Sequence, residues 1–412
     1  MNRRQFLCGG AALAGGAATL AAGPGAKPKV RAITAFVALD RPRYQAQIQE
    51  TLAMLRQAKR TVEGGGYQVE TLRITTQPFP EYVRGLSKEQ ALGFFRELEA
   101  LAIRESFSPN IGPAMMRDGD DPAQAELLGE ILSTTKKLRA SLIMGGEDGV
   151  RWNSIRATAR LIKFVEEHSP GSAGNFSFAA TAMLEPYAPF YPGSYHAGPG
   201  RRFAMATESA NVVDEVFAET GGNAALATER LGRALGEHAA AIEKLGRQVE
   251  KGTGWLYMGL DATPAPLGEV SIGAAIERFT GAKFGSSGTM TAAAVITRAV
   301  QSLPIKRIGY SGLMVPVLED NLLAQRWSEG TYGVDALLAY SAVCGTGLDT
   351  IPMAGDVSEQ QIERILADVA TLACKWKKPL SARLLPVKGK KAGDRTEFDD
   401  PMLVNAVIQP LR

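Results

Sequence analysis

Residues 30–76 read VRAITAFVALDRPRYQAQIQETLAMLRQAKRTVEGGGYQVETLRITT. Val30 to Leu39 is rich in β-branched and aromatic residues, which is typical of a buried strand. From Tyr44 to Val62 apolar residues recur at helical spacing, and three consecutive glycines then end the helix. Tyr67 to Thr76 alternates like a second strand. This stretch therefore predicts a strand, a helix and another strand, the unit from which α/β folds are built.

The same alternation continues along the chain. Capping-box pairs, Ser87 with Gln90 and Ser358 with Gln361, begin two of the later helices. No linker rich in proline and serine divides the sequence, and no short repeat is present. After an export segment at residues 1–26, we predict one α/β domain at residues 27–412. Its sheet is largely parallel, open or closed into a barrel, and surrounded by helices, with the functional site at the carboxyl ends of strands.

The amino-terminal segment resembles a twin-arginine export signal. Arg3 and Arg4 precede a mildly apolar run from Phe6 to Ala22. Small residues around Ala21, Ala22 and Gly23, or at Gly25 and Ala26, offer cleavage sites. The expected partner is the twin-arginine export machinery, and the expected location is the periplasm or the medium. No later stretch is long and apolar enough to span a bilayer, so stable membrane insertion is not expected.

Composition narrows the classes of partner. The chain has 412 residues, of which 45% are hydrophobic and 22% charged, and its formal net charge is +3. Because no stripe of lysine and arginine alternates with aromatic residues, nucleic acid is not an expected partner. Cys344 and Cys374 remain once the export segment with Cys8 is removed. Two cysteines do not make a disulfide framework, so their pairing is left open and Cys344 is interpreted as a buried structural thiol.

The least ordinary loop runs from Glu185 to Arg202 and reads EPYAPFYPGSYHAGPGRR. Its prolines and glycines fix an irregular backbone, and its aromatic residues are suited to wall a pocket. In that interpretation His196 is a general base or a metal ligand, and Tyr195 and Gly198 contact a small-molecule ligand. The alternative is a rigid surface loop with a structural histidine.

A second candidate is the segment GSSGT, from Gly285 to Thr289, which stands just before a predicted helix. Free backbone N–H groups at a helix start attract anions, so Ser287, Gly288 and Thr289 are expected to hold a phosphate or carboxylate group. A helix cap and a tight turn explain the same residues equally well.

Acidic residues complete the predicted catalytic set, with Glu319 and Asp349 as its members. No cofactor can be named from the sequence. A divalent metal, held by His196 together with Asp261, Glu319 or Asp320, is left open, although no H-x-x-x-H or C-x-x-C spacing is present.

Several short motifs occur in a fixed order over the second half of the chain. They are PFYPGSYHAG at 189–198, ATPA at 262–265, GSSGT at 285–289, GLMVPV at 312–317, CGTGLD at 344–349 and LPVKGK at 385–390. This series resembles the DUF711 (UPF0210) family. The resemblance implies an α/β barrel similar to that of pyruvate formate-lyase, with these loops at the barrel mouth, and it matches His196, Gly198, Thr289 and Cys344 to family positions. It implies no particular reaction.

Glycyl-radical chemistry is rejected because Arg307, Ile308 and Gly309 only partly match the R-V-x-G radical loop and no cysteine pair precedes them. The sequence predicts an exported enzyme, a hydrolase or lyase that acts on a small anionic substrate. Whether a metal assists the reaction is left open. The alternative is a non-catalytic periplasmic protein that binds a small ligand. A structural homo-oligomer is a third interpretation.

Overall fold

The computed structural model describes residues 27–411 of the chain. The segment at residues 1–26, and with it the expected export signal, lies outside the described residues and stays a prediction. The described strands are β1 Lys29–Val37, β2 Val69–Thr76, β3 Ser108–Pro113, β4 Arg139–Gly146, β5 Gly149–Val150, β6 Phe178–Ala182, β7 Arg202–Glu208, β8 Leu256–Asp261, β9 Gly347–Ala354 and β10 Leu380–Val387.

The α-helices surround these strands. They are α1 Tyr44–Gly64, α2 Phe79–Tyr82, α3 Lys88–Glu105, α4 Ala123–Thr134, α5 Trp152–His168, α6 Ala210–Thr220, α7 Ala224–Thr253, α8 Ile272–Thr280, α9 Thr289–Gln301, α10 Asn321–Ser328, α11 Val334–Ser341 and α12 Glu359–Trp376. None of the helices within residues 27–411 is long and apolar enough to cross a membrane.

One sheet contains all ten strands, in the order β8-β7-β1-β2-β3-β4-β6-β10-β9 with β5 paired to β4. Strands β1, β2, β3, β4 and β6 are parallel to one another. The pairs β7–β8 and β9–β10 are also parallel, but they join this block through the antiparallel contacts β1–β7 and β6–β10. The prediction of a mostly parallel sheet surrounded by helices is confirmed, and the sheet contains two blocks that run in opposite directions.

A single chain segment closes this sheet into a barrel. Arg307 forms a parallel bridge to Leu260 on the edge strand β8, and Pro316 forms one to Asp349 on the edge strand β9. The buried carboxylate of Asp261 holds the segment between them, because it accepts N–H hydrogen bonds from Tyr310 at 2.7 Å and from Ser311 at 3.0 Å. The closed barrel leaves few free strand edges and creates an interior.

The two faces of the sheet differ in chemistry because side chains alternate along a strand. On β1, Ile33 and Ala35 belong to the apolar layer shared with the helices. Thr34 and Phe36 point the other way, into the barrel, where the ring of Phe36 meets that of Tyr187 at 5.4 Å. The barrel interior is thus occupied by a loop and by polar side chains.

Candidate functional site

The loop between β6 and β7, residues 183–201, turns into the barrel, and we call it the interior loop. The carbonyl oxygen of Pro189 accepts hydrogen bonds from Thr34 Oγ1 at 3.1 Å and from Arg73 Nη1 at 3.1 Å. Asn110 Nδ2 donates to the carbonyl oxygen three residues further along the loop, at 2.6 Å. Polar side chains on three neighbouring strands therefore hold the interior loop, and the surface-loop alternative is wrong.

The interior loop doubles back on itself. The N–H of Tyr187 donates to the carbonyl oxygen of Tyr195 at 2.9 Å, and Ser194 Oγ donates to the carbonyl oxygen of Ala188 at 2.6 Å. These bonds join the descending and returning arms of the loop. The returning arm carries Tyr195 and His196 out towards the end of the barrel.

His196 reaches the carboxyl end of β2. Its backbone N–H donates to the carbonyl oxygen of Thr76, the last residue of that strand, at 2.9 Å. Its ring packs edge-on against Tyr187 with 5.8 Å between centroids, and the residue is 1% exposed. Within the described residues, neither ring nitrogen makes a well-aligned hydrogen bond, although the backbone of Gly198 lies close enough to act on the pKa of the ring. Such unpartnered buried nitrogens are uncommon in native proteins and point to a missing ligand or water.

The environment of His196 keeps its ring neutral. Burial lowers the pKa of His196 to about 4, a backbone hydrogen bond of Gly198 opposes this shift, and the nearby Arg202 guanidinium adds to it. At neutral pH the imidazole therefore carries one N–H and one free acceptor nitrogen. That form is the one that can accept a proton or bind a metal.

A cavity of about 890 Å³ opens at this end of the barrel, and we call it the His196 cavity. Residues following β1, β2, β3 and β5 line it, namely Ala38, Gln77, Ala114 and Arg151, together with Tyr195, His196 and Gly198 of the interior loop. The carboxyl ends of parallel strands are the usual place for ligands in α/β folds. Three residues predicted from the sequence, Tyr195, His196 and Gly198, therefore line one cavity, and this cavity lies where the fold predicts a ligand site.

The rim of the His196 cavity carries both signs of charge, because Arg84, Arg117 and Arg151 line it together with Glu81, Asp120 and Asp121. Arg84 and Arg117 line it and are exposed, and neither forms an ion pair with any residue in the range 27–411. The carboxylate of Asp120, which also lines the cavity, accepts the N–H groups of Met116 at 2.7 Å and Arg117 at 2.9 Å. Backbone donors thus hold Asp120, and neither guanidinium group makes a direct ion pair with it.

Glu319 and Asp349 lie elsewhere, inside the barrel. Arg383 Nη1 contacts Glu319 Oε1 at 2.7 Å and Asp349 Oδ1 at 2.9 Å. Arg31 bridges Glu208 at 2.6 Å and Glu319 at 3.3 Å. We call these five residues the buried charge cluster. Burial raises the pKa of Asp349 and of Glu208, while Arg383 and Arg31 respectively oppose that rise.

The predicted grouping of His196 with Glu319 and Asp349 is wrong. Arg31, which holds Glu319, is near the amino end of β1, where its neighbour Val30 pairs with Val69 at the start of β2. His196 is bound to Thr76 at the other end of β2, about 20 Å along the strand at roughly 3.3 Å per residue. The prediction relied on a largely parallel sheet, whereas β9 and β10 run opposite to the block that contains β2.

The GSSGT segment is separate from both the His196 cavity and the buried charge cluster. Thr289 Oγ1 accepts the N–H of Gly285 at 3.1 Å, and Gly288 caps helix α9 with a φ of 101°. Its neighbours are Thr331 and Tyr340, and the His196 cavity is lined by none of Ser287, Gly288 and Thr289. The expectation that this segment shares a site with His196 is wrong, and the alternative of a cap and tight turn describes its geometry.

The possible metal ligands do not converge. Asp320 caps α10 and also accepts hydrogen bonds from Ser271 and the start of α8, and Asp261 holds the closing segment. Within residues 27–411 no group of three or more histidine, cysteine, aspartate or glutamate side chains is arranged to hold a metal ion. Cys344 is buried, and neither it nor Cys374 is in a disulfide.

The sequence interpretation missed the arginines of the barrel interior. Arg31, Arg73 and Arg383 are each 6–8% exposed. Each interrupts a strand whose other residues are mostly apolar or β-branched, in VRAIT, TLRIT and SARLL. An arginine inside such an apolar strand was the signal that could have been used. A buried arginine needs polar partners, so its presence indicates that the barrel interior is polar.

Comparisons with known proteins agree on a family. The family model described as "Uncharacterised ACR (DUF711)" matches residues 25–399. A UPF0210 protein of Pyrobaculum aerophilum is 34% identical over 284 residues, which cover 66% of this chain and 62% of that relative's length. Another, from Pyrobaculum islandicum, is 29% identical over 381 residues, covering 85% of this chain and 81% of the relative.

Among solved structures, the anaerobic ribonucleotide reductase from Thermotoga maritima in complex with dATP and CTP is similar with a TM-score of 0.42 and 9% identity. The similarity covers 86% of this chain and 75% of that one. The family match extends over nearly the whole described region and includes the interior loop with His196. The chain therefore belongs to the DUF711 (UPF0210) family.

Proposed function

We propose that this protein is an enzyme that binds a small anionic substrate in the His196 cavity and acts on it as a hydrolase or lyase. The observation that carries the proposal is the buried, neutral imidazole of His196, which lines the cavity and whose ring nitrogens make no well-aligned hydrogen bond to the protein. Perturbed titratable groups in clefts are frequent at catalytic sites.

The proposed roles follow from the positions of the side chains. Arg84 and Arg117 hold the anionic group of the substrate at the rim, since both guanidinium groups lack ion-pair partners among the described residues. His196 accepts a proton from the substrate or from a water molecule, which contributes typically 10²–10⁴-fold to a rate. In this proposal the enzyme works after export, as the paired arginines near its amino terminus predict.

The test is a comparison of turnover and affinity between the wild type and His196→Gln. The substrates are the 4-nitrophenyl monoester of succinic acid and 4-nitrophenyl phosphate, and, for lyase activity, small 3-hydroxy acids whose dehydration products absorb in the ultraviolet. For at least one substrate we expect kcat to fall about 100-fold or more in the variant, with KM little changed. His168→Gln is the matched control, because His168 is exposed and stacks on Phe164 outside the cavity.

Each other outcome selects a different account. Equal turnover in the wild type and His196→Gln places the chemistry elsewhere and contradicts the proposal. Saturable binding of the same anions without turnover contradicts an enzyme and supports the non-catalytic ligand-binding protein.

A further inference from the structure

Two arginines of the barrel interior, Arg73, which is buried, and Arg139, which is half-buried, lack a carboxylate partner. Arg31 and Arg383 are paired within the buried charge cluster, but no aspartate or glutamate oxygen of the described chain lies within 4 Å of Arg73 or Arg139. Arg73 is 8% exposed, and Arg139 is half-buried at the start of β4. Buried charges are normally paired, so these two require an explanation.

Protein atoms accept hydrogen bonds from only some of the N–H groups of each guanidinium. Arg73 uses Nη1 for the Pro189 carbonyl and Nε for Thr71 Oγ1 at 3.0 Å. Arg139 uses Nη1 for Ser177 Oγ at 2.6 Å and for nearby carbonyl groups. Within residues 27–411, Arg73 Nη2 and Arg139 Nε and Nη2 donate to no protein atom. Unlike Arg383 Nε, these three atoms are not sealed from water.

Aromatic rings lie beside both groups, and the Phe176 ring also contacts Arg383, whose guanidinium carbon is 4.5 Å from its centroid. The guanidinium carbon of Arg73 lies 4.7 Å from the centroid of the Tyr191 ring, and that of Arg139 lies 5.8 Å from the Phe176 ring. Rings that cover the faces of guanidinium groups leave the edges, with their N–H donors, for hydrogen bonding. Guanidinium edges match the geometry of carboxylate and phosphate oxygens.

Electrostatics favour an anion at this place. Burial lowers the pKa of Arg73 to about 10, and the charges of Arg31 and Arg139 lower it further, whereas Tyr191 and Glu319 oppose the shift. Burial also lowers the pKa of Arg139 to about 10, and the nearby Arg383 lowers it further. The negative charges of Asp400 and Glu319 oppose this shift. Both groups remain charged at pH 7, so the desolvation of two positive charges is not offset by a direct partner.

We propose that Arg73 and Arg139 together form a binding site for the oxyanion group, carboxylate or phosphate, of a small molecule inside the barrel. This site is distinct from the His196 cavity, whose lining includes neither arginine. Tyr191 and Phe176 form its aromatic walls. The interior loop links the two sites, because its residue Pro189 is held by Arg73 while its residue His196 lines the cavity.

The test is titration calorimetry of the protein with inorganic phosphate and, separately, with succinate. Comparing the two probes distinguishes a phosphate site from a carboxylate site. For at least one probe, the wild type binds saturably and Arg73→Met and Arg139→Met bind about 10-fold more weakly or worse, as expected for loss of a charge-assisted hydrogen bond. Arg160→Met, which removes an exposed arginine of α5, keeps the wild-type affinity.

Lysine variants keep the experiment decisive if a methionine variant does not fold. Arg73→Lys and Arg139→Lys retain the charge but lose the guanidinium fork, and we again expect affinity about 10-fold weaker. Equal affinity in all variants overturns the proposal, as does the absence of saturable binding of either probe to the wild type. Loss of affinity in Arg84→Met and Arg117→Met instead would assign the anion to the His196 cavity and overturn it as well.

Discussion

Replacement of Arg383 by methionine should lower the free energy of unfolding by about 3–5 kcal/mol at pH 7. The guanidinium group is 7% exposed and contacts both Glu319 and Asp349, so its removal leaves two buried carboxyl groups without their shared partner. Methionine fills similar space without a charge. Urea unfolding followed by circular dichroism measures the change.

The loss of stability in Arg383→Met should also depend on pH. Burial already raises the pKa of Asp349, and Arg383 opposes that rise, so the pKa of Asp349 rises further in the variant. A carboxyl group whose folded-state pKa is raised destabilises the fold above that pKa, and the destabilisation is relieved as the pH falls through it. The difference between variant and wild type should therefore shrink from pH 7 to pH 5.

A matched control removes an exposed pair. Lys377 contacts Glu147 at 3.3 Å, with side chains that are 74% and 73% exposed. Lys377→Met should change stability little, because exposed ion pairs contribute little in water. An equally small loss of stability in Arg383→Met, independent of pH, would contradict the buried ion pairs of Arg383 with Glu319 and Asp349.

Replacement of Gly285 by alanine should destabilise the fold by about 3 kcal/mol. Gly285 has a φ of 99°, and a Cβ atom there would collide with the backbone carbonyl oxygen of Thr331, which can move only if the backbone shifts. Two costs add: the left-handed backbone and the forced displacement of the neighbouring segment. The midpoint of urea unfolding measures the sum.

Gly281 separates these two costs. It has a φ of 67°, and a Cβ atom there meets nothing within 4 Å. Gly281→Ala should therefore show only the backbone cost, about 1 kcal/mol. An equal loss in both variants would contradict the close approach of Gly285 to Thr331, and with it the interpretation of GSSGT as a packed turn.

Much of the fold follows from local sequence. The strand–helix–strand unit at residues 30–76 and the helices that begin after Ser87 and Ser358 were predicted, and both capping boxes are present in the structure. In each case local propensity and tertiary packing agree. Strand β3 was missed because its sequence, SPNIGP, contains two prolines and a glycine, which are typical of turns. It is a strand because its neighbours and the interior loop hold it.

The site was predictable only in part. A histidine within an aromatic, proline-rich loop was a strong enough signal to identify His196, Tyr195 and Gly198. Which carboxylates lie near it depends on the direction of each strand in the sheet, and that is a tertiary property that residue spacing does not contain. Glu319 and Asp349 were therefore joined to the wrong site.

Titration of the histidine rings by NMR tests the central claim most directly. The chain contains three histidines, and the ring signal missing from the His196→Gln spectrum belongs to His196. We expect this signal to titrate near pH 4, because burial at the floor of the cavity keeps the ring neutral. It should also shift when a substrate identified by turnover is added at pH 7. Titration near pH 6.5, the value for a solvated imidazole, without a response to substrate would contradict the assignment of His196 as the base.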